Sequence, residues 1–198
     1  MDNKEVRNLV LKAKAGDKEA FGQLVNLYSE RIYNLGLRIL KNNDDAADVL
    51  QETFVAAYNK IHTFDGRSNF FTWLYRIATN FALMKLRKDK RTVLTDSDME
   101  KNFDNPNKMT IHEWQDLPLK DMLSDEFRKH LDEAVNELPE IYRSVFVLRD
   151  LENLSIKETS HILNITESNV KIRLKRARIF LREKLAHYME EFSKEALD

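Results

Sequence analysis

Residues 154–185 read L-S-I-K-E-T-S-H-I-L-N-I-T-E-S-N-V-K-I-R-L-K-R-A-R-I-F-L-R-E-K-L, a pattern of two helices joined by a tight turn. Ser155 followed three positions later by Glu158 is a capping-box pattern, which predicts a helix that begins at Ile156. Asn164 tolerates the left-handed conformation that ends a helix, and Thr166 can cap the next one. Apolar residues three or four positions apart continue the second helix: Val170, Leu174, Ala177, Phe180 or Leu181, and Leu185. The stretch therefore predicts a helix-turn-helix.

The second of these helices is strongly basic. From Lys171 to Lys184 it holds seven Lys or Arg residues and one acidic residue, Glu183, which gives a net charge of +6. Lys171, Lys175 and Arg178 share one helical face, and the apolar residues point the other way. A basic run is often only a solvated face, but solvated helices usually mix charges of both signs. The near absence of acids therefore favours nucleic-acid binding.

Composition predicts an all-α chain with one large domain or two small ones. Its 198 residues are 42% hydrophobic and include 4 Gly, 3 Pro and no Cys, so we expect neither a disulfide framework nor a thiolate metal site. No signal peptide and no apolar run of membrane-spanning length is visible, which predicts a cytoplasmic protein without membrane insertion. The 5 His residues lack paired ligand spacing, and no phosphate loop or Ser-His-Asp pattern occurs. We therefore expect no enzyme, no cofactor and no metal.

Charge is distributed unevenly along a chain whose net charge is −1. Residues 76–91 hold six bases and one acid, for a net charge of +5, whereas residues 92–126 hold three bases and nine acids, for a net charge of −6. The acidic stretch has weak periodicity and is typical of a linker. Because non-specific affinity for DNA comes from phosphate contacts, we expect this self-screened chain to bind duplex DNA poorly when alone.

The N-terminal half contains a dense aromatic segment between Phe64 and Phe81. Helical periodicity predicts helices over residues 6–13, 18–40, 45–61 and 70–90, followed by 127–137 and 140–151 in the C-terminal half. Asp17 can cap the helix that begins at Lys18, and Asp44 the helix that begins at Asp45. Trp73, Ile77 and either Phe81 or Met84 form one apolar line, so part of the aromatic segment is core. The remaining rings, beside cations and a Gly-containing loop, are suited to stacking on unpaired bases.

Two pairs of motifs resemble a known family. The sequence L-P-E-I-Y-R-S-V-F-V-L-R-D-L-E-N-L-S-I-K-E (138–158) with N-V-K-I-R-L-K-R-A-R (169–178) resembles the promoter-binding domain of bacterial RNA polymerase sigma factors. The sequence D-A-A-D-V-L-Q-E-T-F-V-A-A-Y (45–58) with F-D-G-R-S-N-F-F-T-W-L-Y-R-I-A-T-N (64–80) resembles their domain that binds and melts the −10 element. Two such domains with only a linker between them resemble the extracytoplasmic-function (ECF) subfamily.

The resemblance implies an all-α fold of two small helical domains joined by a flexible acidic linker. Residues 1–91 would bind core polymerase and melt the −10 element, residues 92–126 would be the linker, and residues 127–198 would be a helix-turn-helix domain that binds the −35 element. Implied partners are promoter DNA, the β′ clamp helices and β flap of core RNA polymerase, and an anti-sigma factor.

The resemblance also assigns residues to three surfaces. Core polymerase binding is implied for Asp48, Gln51, Glu52, Phe54 and Tyr58. Binding of the −10 DNA is implied for Phe64, Asp65, Gly66, Arg67, Ser68, Asn69, Trp73, Tyr75, Arg76 and Asn80. Binding of the −35 DNA is implied for Asn169, Lys171, Ile172, Arg173, Lys175 and Arg176.

An alternative function is a stand-alone helix-turn-helix regulator whose N-terminal half senses a ligand or dimerises. The aromatic loop and helix over residues 64–81 distinguish the two hypotheses, because a simple regulator has no need for them.

Overall fold

A computed structural model describes residues 3–89 and 125–195 of the chain, and those residues contain helices and no strand. The all-α prediction is therefore confirmed. The helices are α1 (Asn3–Lys14), α2 (Lys18–Leu40), α3 (Asn43–Lys60), α4 (Phe70–Asp89), α5 (Asp125–Glu137), α6 (Glu140–Phe146), α7 (Ile156–Leu163) and α8 (Glu167–Glu195), with a short 3-10 helix at Ile61–Thr63 and a π-helical turn at Val147–Leu151. The predicted acidic linker lies, apart from its last two residues in α5, outside the described residues.

Helix starts follow the capping residues in the sequence, with one correction. Asp17 caps α2 as its side chain accepts the N–H of Ala20 at 3.0 Å. The predicted cap of α3, Asp44, is wrong: the side chain of Asn42 accepts the N–H of Asp45 at 3.0 Å instead. Asn42 has the extended conformation that a cap requires, and Asp44 then lies in the first turn, where a carboxylate is favoured by the helix dipole.

The predicted helix over 140–151 changes its winding at Val147. From there to Leu151 the chain forms a π-helical turn, in which the N–H of Glu152 donates to the carbonyl of Val147 at 2.9 Å. Asn153 follows with φ 56°, and the N–H of Leu154 donates to the carbonyl of Leu148 at 3.0 Å. The helix therefore ends in a wide turn that accommodates one more residue per turn than an α-helix does.

The described residues divide into two compact units, the first made of residues 3–89 with Lys157–Ile165 and the second of the remainder. In the first unit, α1 to α4 surround an apolar core. The residues that α2 contributes to it include Leu24, Ile32, Leu35 and Ile39. Gly36 allows α2 and α3 to approach closely, because a Cβ atom there would lie 3.3 Å from the Cα of Ala46.

The core of the second unit is formed by α5, α6 and α8. Its buried apolar residues include Leu131, Val135, Tyr142, Val145, Phe146, Leu148, Val170, Leu174, Ala177, Leu181 and Leu185. Arg143 is also buried, and its Nη1 donates to the carbonyls of Asn136 and Leu138 at 3.3 and 3.4 Å. Burial lowers the pKa of Arg143, an effect partly offset by Glu140. This guanidinium thus satisfies carbonyls at the C-terminal end of α5.

The turn before α8 has the predicted local geometry. Helix α7 begins at Ile156, and Asn164 follows its last residue with φ 55°. Thr166 then caps α8, because its Oγ1 accepts the N–H of Asn169 at 3.1 Å. Two helices separated by three residues are the local pattern of a helix-turn-helix.

Candidate nucleic-acid and protein interfaces

The outer face of α3 is exposed and carries acidic, amide and apolar groups. We call it the α3 face, and it consists of Asp48, Gln51, Glu52, Val55 and Tyr58, all of which are exposed. Val55 is 63% exposed, although sequence reasoning did not include it. Its spacing of three from Glu52 and four from Gln51 was the signal that could have identified it.

Phe54 differs from the other residues assigned to core polymerase binding because it points into the first unit. Its side chain is buried, and its ring packs edge-on against that of Phe21 at 6.5 Å between centroids. The Phe21 ring also packs against Tyr58, at 5.0 Å. Phe21 therefore links the buried Phe54 to the partly exposed Tyr58 of the α3 face.

An ion pair ties the start of the α3 face to α4. Lys85 Nζ donates to Asp45 Oδ1 at 2.9 Å and to Asp48 Oδ2 at 2.8 Å. These hydrogen bonds, first to Asp48 and then to Asp45, raise the pKa of Lys85. Asp48 is therefore already held by a cation, whereas Glu52 lies one turn further along the exposed face.

The aromatic segment forms one connected cluster around Phe70. Ring centroids lie 5.6 Å apart for Phe64 and Phe70, 5.4 Å for Phe64 and Trp73, 5.5 Å for Phe70 and Trp73, and 5.9 Å for Tyr28 and Phe70. Burial raises the pKa of Tyr28, and Arg31 opposes this effect. Phe64, Phe70 and Tyr28 are buried, whereas Trp73 is half-buried. Trp73 is therefore the ring of this set that a base could reach.

The apolar line predicted on α4 is corrected by the structure. The buried positions are Phe70, Leu74, Tyr75, Ala78 and Ala82, and not the predicted line of Trp73, Ile77 and Phe81 or Met84. Trp73, Ile77 and Phe81 are half-buried, and Met84 is 61% exposed. The two lines lie side by side on the helix, and packing against α2 and α3 selects the one with smaller residues at its centre.

Tyr75 is fully enclosed, and its ring centroid lies 4.0 Å from that of Phe71. It could stack on a base only by leaving the core. Arg76 and Asn80, one and five positions further on, are exposed on the opposite side of α4. The polar residues assigned to −10 DNA thus face solvent, whereas Tyr75 supports the half-buried Phe71.

The loop before α4 is organised by its own polar side chains. Asp65 Oδ1 accepts the N–H of Arg67 at 3.0 Å across Gly66, which has φ 77°. Asn69 Oδ1 accepts the N–H of Phe71 at 3.2 Å and so caps α4. Residues 65 to 69 are exposed, and the side chain of Arg67 is 89% exposed. The loop is therefore a shaped, solvent-facing turn beside Trp73.

The N-terminal part of α8 is exposed and basic. Asn169, Lys171, Ile172 and Lys175 are exposed, and Arg173 and Arg176 are half-buried. Arg176 Nη1 donates to the Tyr142 hydroxyl at 3.3 Å. We call this set of six residues the α8 face.

Arg178 does not belong to the exposed basic face on which sequence reasoning placed it. Its Nε and Nη2 donate to the two carboxylate oxygens of Asp150 at 2.8 and 2.7 Å, and the Asp150 side chain is 8% exposed. This bidentate pair fastens α8 to the π-helical turn. Arg178 is therefore a structural cation, whereas Lys171 and Lys175, nearer the start of α8, are exposed.

Across residues 3–89 and 125–195, no group of three His, Asp or Glu side chains is arranged to hold a metal ion. No helix within those ranges is long and apolar enough to cross a membrane.

Comparison with known proteins defines the class of the chain. Residues 24–92 match the family Sigma-70 region 2, and residues 128–181 match Sigma-70, region 4. The ECF RNA polymerase sigma factor SigW of Bacillus subtilis is 36% identical over 180 residues, which cover 91% of this chain and 96% of SigW. The ECF RNA polymerase sigma-E factor of Haemophilus influenzae is 34% identical over 181 residues, which cover 91% of this chain and 95% of the sigma-E factor.

Solved structures share the fold. CnrH in complex with the cytosolic domain of CnrY has a TM-score of 0.63 at 24% identity and covers 92% of this chain and 98% of its own. RpoE of Bartonella quintana, in complex with the anti-sigma factor NepR, has a TM-score of 0.62 at 23% identity and covers 84% of this chain and 96% of its own.

Both matched regions belong to sigma-70 proteins, and they occur here in a single chain with region 2 first. The chain belongs to the ECF RNA polymerase sigma factors, which direct promoter recognition and transcription initiation and are not catalytic. The hypothesis of a stand-alone regulator is set aside because the N-terminal half is itself a sigma region.

Proposed function

We propose that this sigma factor divides initiation among three surfaces: the α3 face for core polymerase, the loop and outer side of α4 for the −10 element, and the α8 face for the −35 element. The proposed domains are residues 1–91, the linker 92–126, and residues 127–198. The observation that carries the proposal is that each surface exposes a different chemistry: acidic and amide on α3, aromatic and polar on α4, and basic on α8.

Core polymerase is the proposed partner of the α3 face. Gln51, Glu52, Val55 and Tyr58 combine an exposed carboxylate and amide with an apolar centre, which is the composition of a protein interface with a hydrophobic core and a polar rim. We assign this face to the β′ clamp helices. Asp48 adds to this face a carboxylate that is paired with Lys85. Phe54 does not reach the surface and supports Tyr58 through the ring of Phe21.

Single-stranded −10 DNA is the proposed ligand of the loop and α4. Trp73 offers a half-exposed ring, Arg76 a cation, and Asn80 an amide, while the loop from Asp65 to Asn69 gives a turn that a flipped base could enter. Stacking contributes about 1–3 kcal/mol per base, which is comparable to the few kcal/mol that flipping costs. Phe64 and Tyr75 would then serve as the packed floor of this site.

Duplex −35 DNA is the proposed ligand of the α8 face. The N-terminal residues of a recognition helix contact base edges in the major groove. Lys171 and Lys175 are exposed in this part of α8, where they can reach phosphates or guanine edges. We also propose that the C-terminal domain contacts the β flap, so that both domains are held on one polymerase.

Regulation by an anti-sigma factor is proposed as well. The support is that the structurally similar RpoE of Bartonella quintana was solved with the anti-sigma factor NepR. We place the protein in the cytoplasm, where core polymerase acts on the chromosome.

Run-off transcription with core polymerase tests the proposal. Wild-type protein with core should initiate from the promoter of its own operon, whereas the protein without core should bind that duplex weakly. Glu52→Lys should weaken core association at least tenfold, since it places a cation on the α3 face, and Glu30→Lys, an exposed charge reversal on α2, should not. Tight specific DNA binding by the protein alone, or equal core affinity of both variants, would overturn the assignment.

A further inference from the structure

Ile172 is an exposed isoleucine in a polar setting. Its side chain is 48% exposed, and it is the one large apolar residue that is exposed within residues 167–186, the part of α8 whose side chains the structure describes. The buried stripe of this helix runs through Val170, Leu174 and Ala177. Ile172 lies off this stripe and therefore contributes little to the core.

The neighbours of Ile172 on the helix surface are polar. Side chains three and four positions away are adjacent on a helix, and here they are Ser168, Asn169, Lys175 and Arg176. The flanking positions are Lys171 and Arg173. A protein-binding patch would be expected to cluster several apolar groups, and this position has none beside it.

The basic surroundings indicate what approaches this side chain. A ring of Lys, Arg and Asn around one aliphatic group is complementary to a polyanion that carries an apolar group within its groove. In the major groove of DNA the C5-methyl group of thymine is that group, since every other feature of the base edges there is a donor or an acceptor. Asn169 and Arg173 can meanwhile contact polar base edges or phosphates on either side.

We propose that Ile172 is a specificity-determining residue that packs against the methyl group of one thymine in the −35 element. This inference rests on the proposed function of the α8 face and adds the chemical identity of one base. It requires at least one thymine, on either strand, whose methyl group contributes to initiation.

The test removes the methyl group from DNA and the side chain from the protein in turn. On the promoter found by run-off transcription, each thymine of the −35 element on both strands is replaced singly by deoxyuridine, which pairs identically but lacks the methyl group. Holoenzyme with wild-type protein should lose about fourfold in promoter affinity at one position, corresponding to about 0.8 kcal/mol for one buried methyl group. On the thymine template, holoenzyme with Ile172→Ala should bind the promoter at least fourfold more weakly than wild-type holoenzyme. For this variant, replacing that thymine by deoxyuridine should cause no further loss of promoter affinity.

The matched control is Leu11→Ala, another exposed aliphatic residue, at 60%, on α1. It should keep the wild-type response to deoxyuridine at every position. Ile172→Ala losses that are the same on all templates would overturn the inference, because they would indicate a protein partner. Insensitivity of the wild-type holoenzyme to every deoxyuridine would also overturn it. Failure of wild-type holoenzyme to initiate at any promoter would instead refute the proposed function.

Discussion

Two cations on α8, Lys175 and Arg178, have different surroundings although they lie close together on one helix. Lys175 is exposed near the start of the helix, whereas Arg178, three positions later, is held by both oxygens of Asp150. Both were assigned to one basic face by helical spacing. The sequence could not separate them, because Asp150 comes from a different helix and is brought close only by the π-helical turn.

Breaking the Arg178 pair should destabilise the second unit. Arg178→Met leaves the Asp150 carboxylate, which is 8% exposed, without its bidentate partner. We expect a loss of about 2 kcal/mol in the free energy of unfolding, the scale of hydrogen bonds to a charged group. Urea denaturation followed by circular dichroism measures it. Lys184→Met, which removes the exposed pair with Glu137 at 2.5 Å, should change stability by less than about 1 kcal/mol. Equal effects of the two variants would contradict this structural role.

Lys85 should give stability a distinct dependence on alkaline pH. The pKa of Lys85 is raised in the folded protein by its hydrogen bonds to Asp48 and Asp45. Its contribution is therefore fully present below the unfolded pKa of about 10.4 and is lost as the pH rises through the folded value. The difference in unfolding free energy between wild type and Lys85→Met should be constant from pH 8 to about 10 and shrink above that. Urea titrations at stepped pH measure it.

Lys88→Met serves as the control for this measurement, since Lys88 is exposed on the same helix. The difference in unfolding free energy between the wild type and Lys88→Met should not shrink above pH 10. A constant difference for Lys85→Met up to about pH 11.5 would mean that the bridge between α3 and α4 contributes nothing to folding.

At the level of helices, the capping residues in the sequence predicted several of the helix boundaries. Asp17, Asn164 and Thr166 act as predicted because their interactions are local. The prediction that Asp44 caps α3 was wrong, since Asn and Asp both cap helices and only the backbone conformation distinguishes Asn42 from Asp44. The π-helical turn was not predicted, because its apolar spacing is indistinguishable from that of an α-helix over five residues.

The turn that joins α7 to α8 should depend on the backbone of Asn164. Its φ of 55° is costly for a residue with a Cβ atom, by about 1–2 kcal/mol, and Asn tolerates it better than most. Asn164→Ala should therefore reduce the unfolding free energy by about 1 kcal/mol. Asn164→Gly should match or exceed the wild type, because glycine has no Cβ atom. If both variants lose the same amount in urea denaturation, the side chain and not the backbone sets the turn.

At the scale of the whole molecule, function was easier to predict than burial. Two motifs in the right order identify the family from the sequence alone, and the matches to both sigma regions confirm it. Which rings form the core could not be read from α4, because Tyr28 on α2 packs against Phe70 and Phe71 from a distant part of the chain. The residue roles on the three surfaces stay predictions.

The segregation of charge predicts how promoter binding responds to salt. Removing one lysine that binds a phosphate should reduce the slope of log affinity against log salt by about 0.9. Lys175→Gln in the holoenzyme should lower the slope by about this amount on every promoter sequence, because a phosphate carries no sequence information. Lys4→Gln, an exposed lysine on α1, should leave the slope unchanged. Filter binding from 50 to 200 mM salt measures it, and an unchanged slope for Lys175→Gln would show that Lys175 binds no phosphate.

The wide turn at Val147–Leu151 has a consequence for chain length. A π-turn holds one residue beyond the α-helical repeat, so deleting a single residue there would let the winding become regular. Such a deletion would be taken up within the turn itself. Asp150, which pairs with Arg178 of α8, is one of the five residues of this turn. The length of this segment and the attachment of α8 to the second unit therefore depend on the same residues.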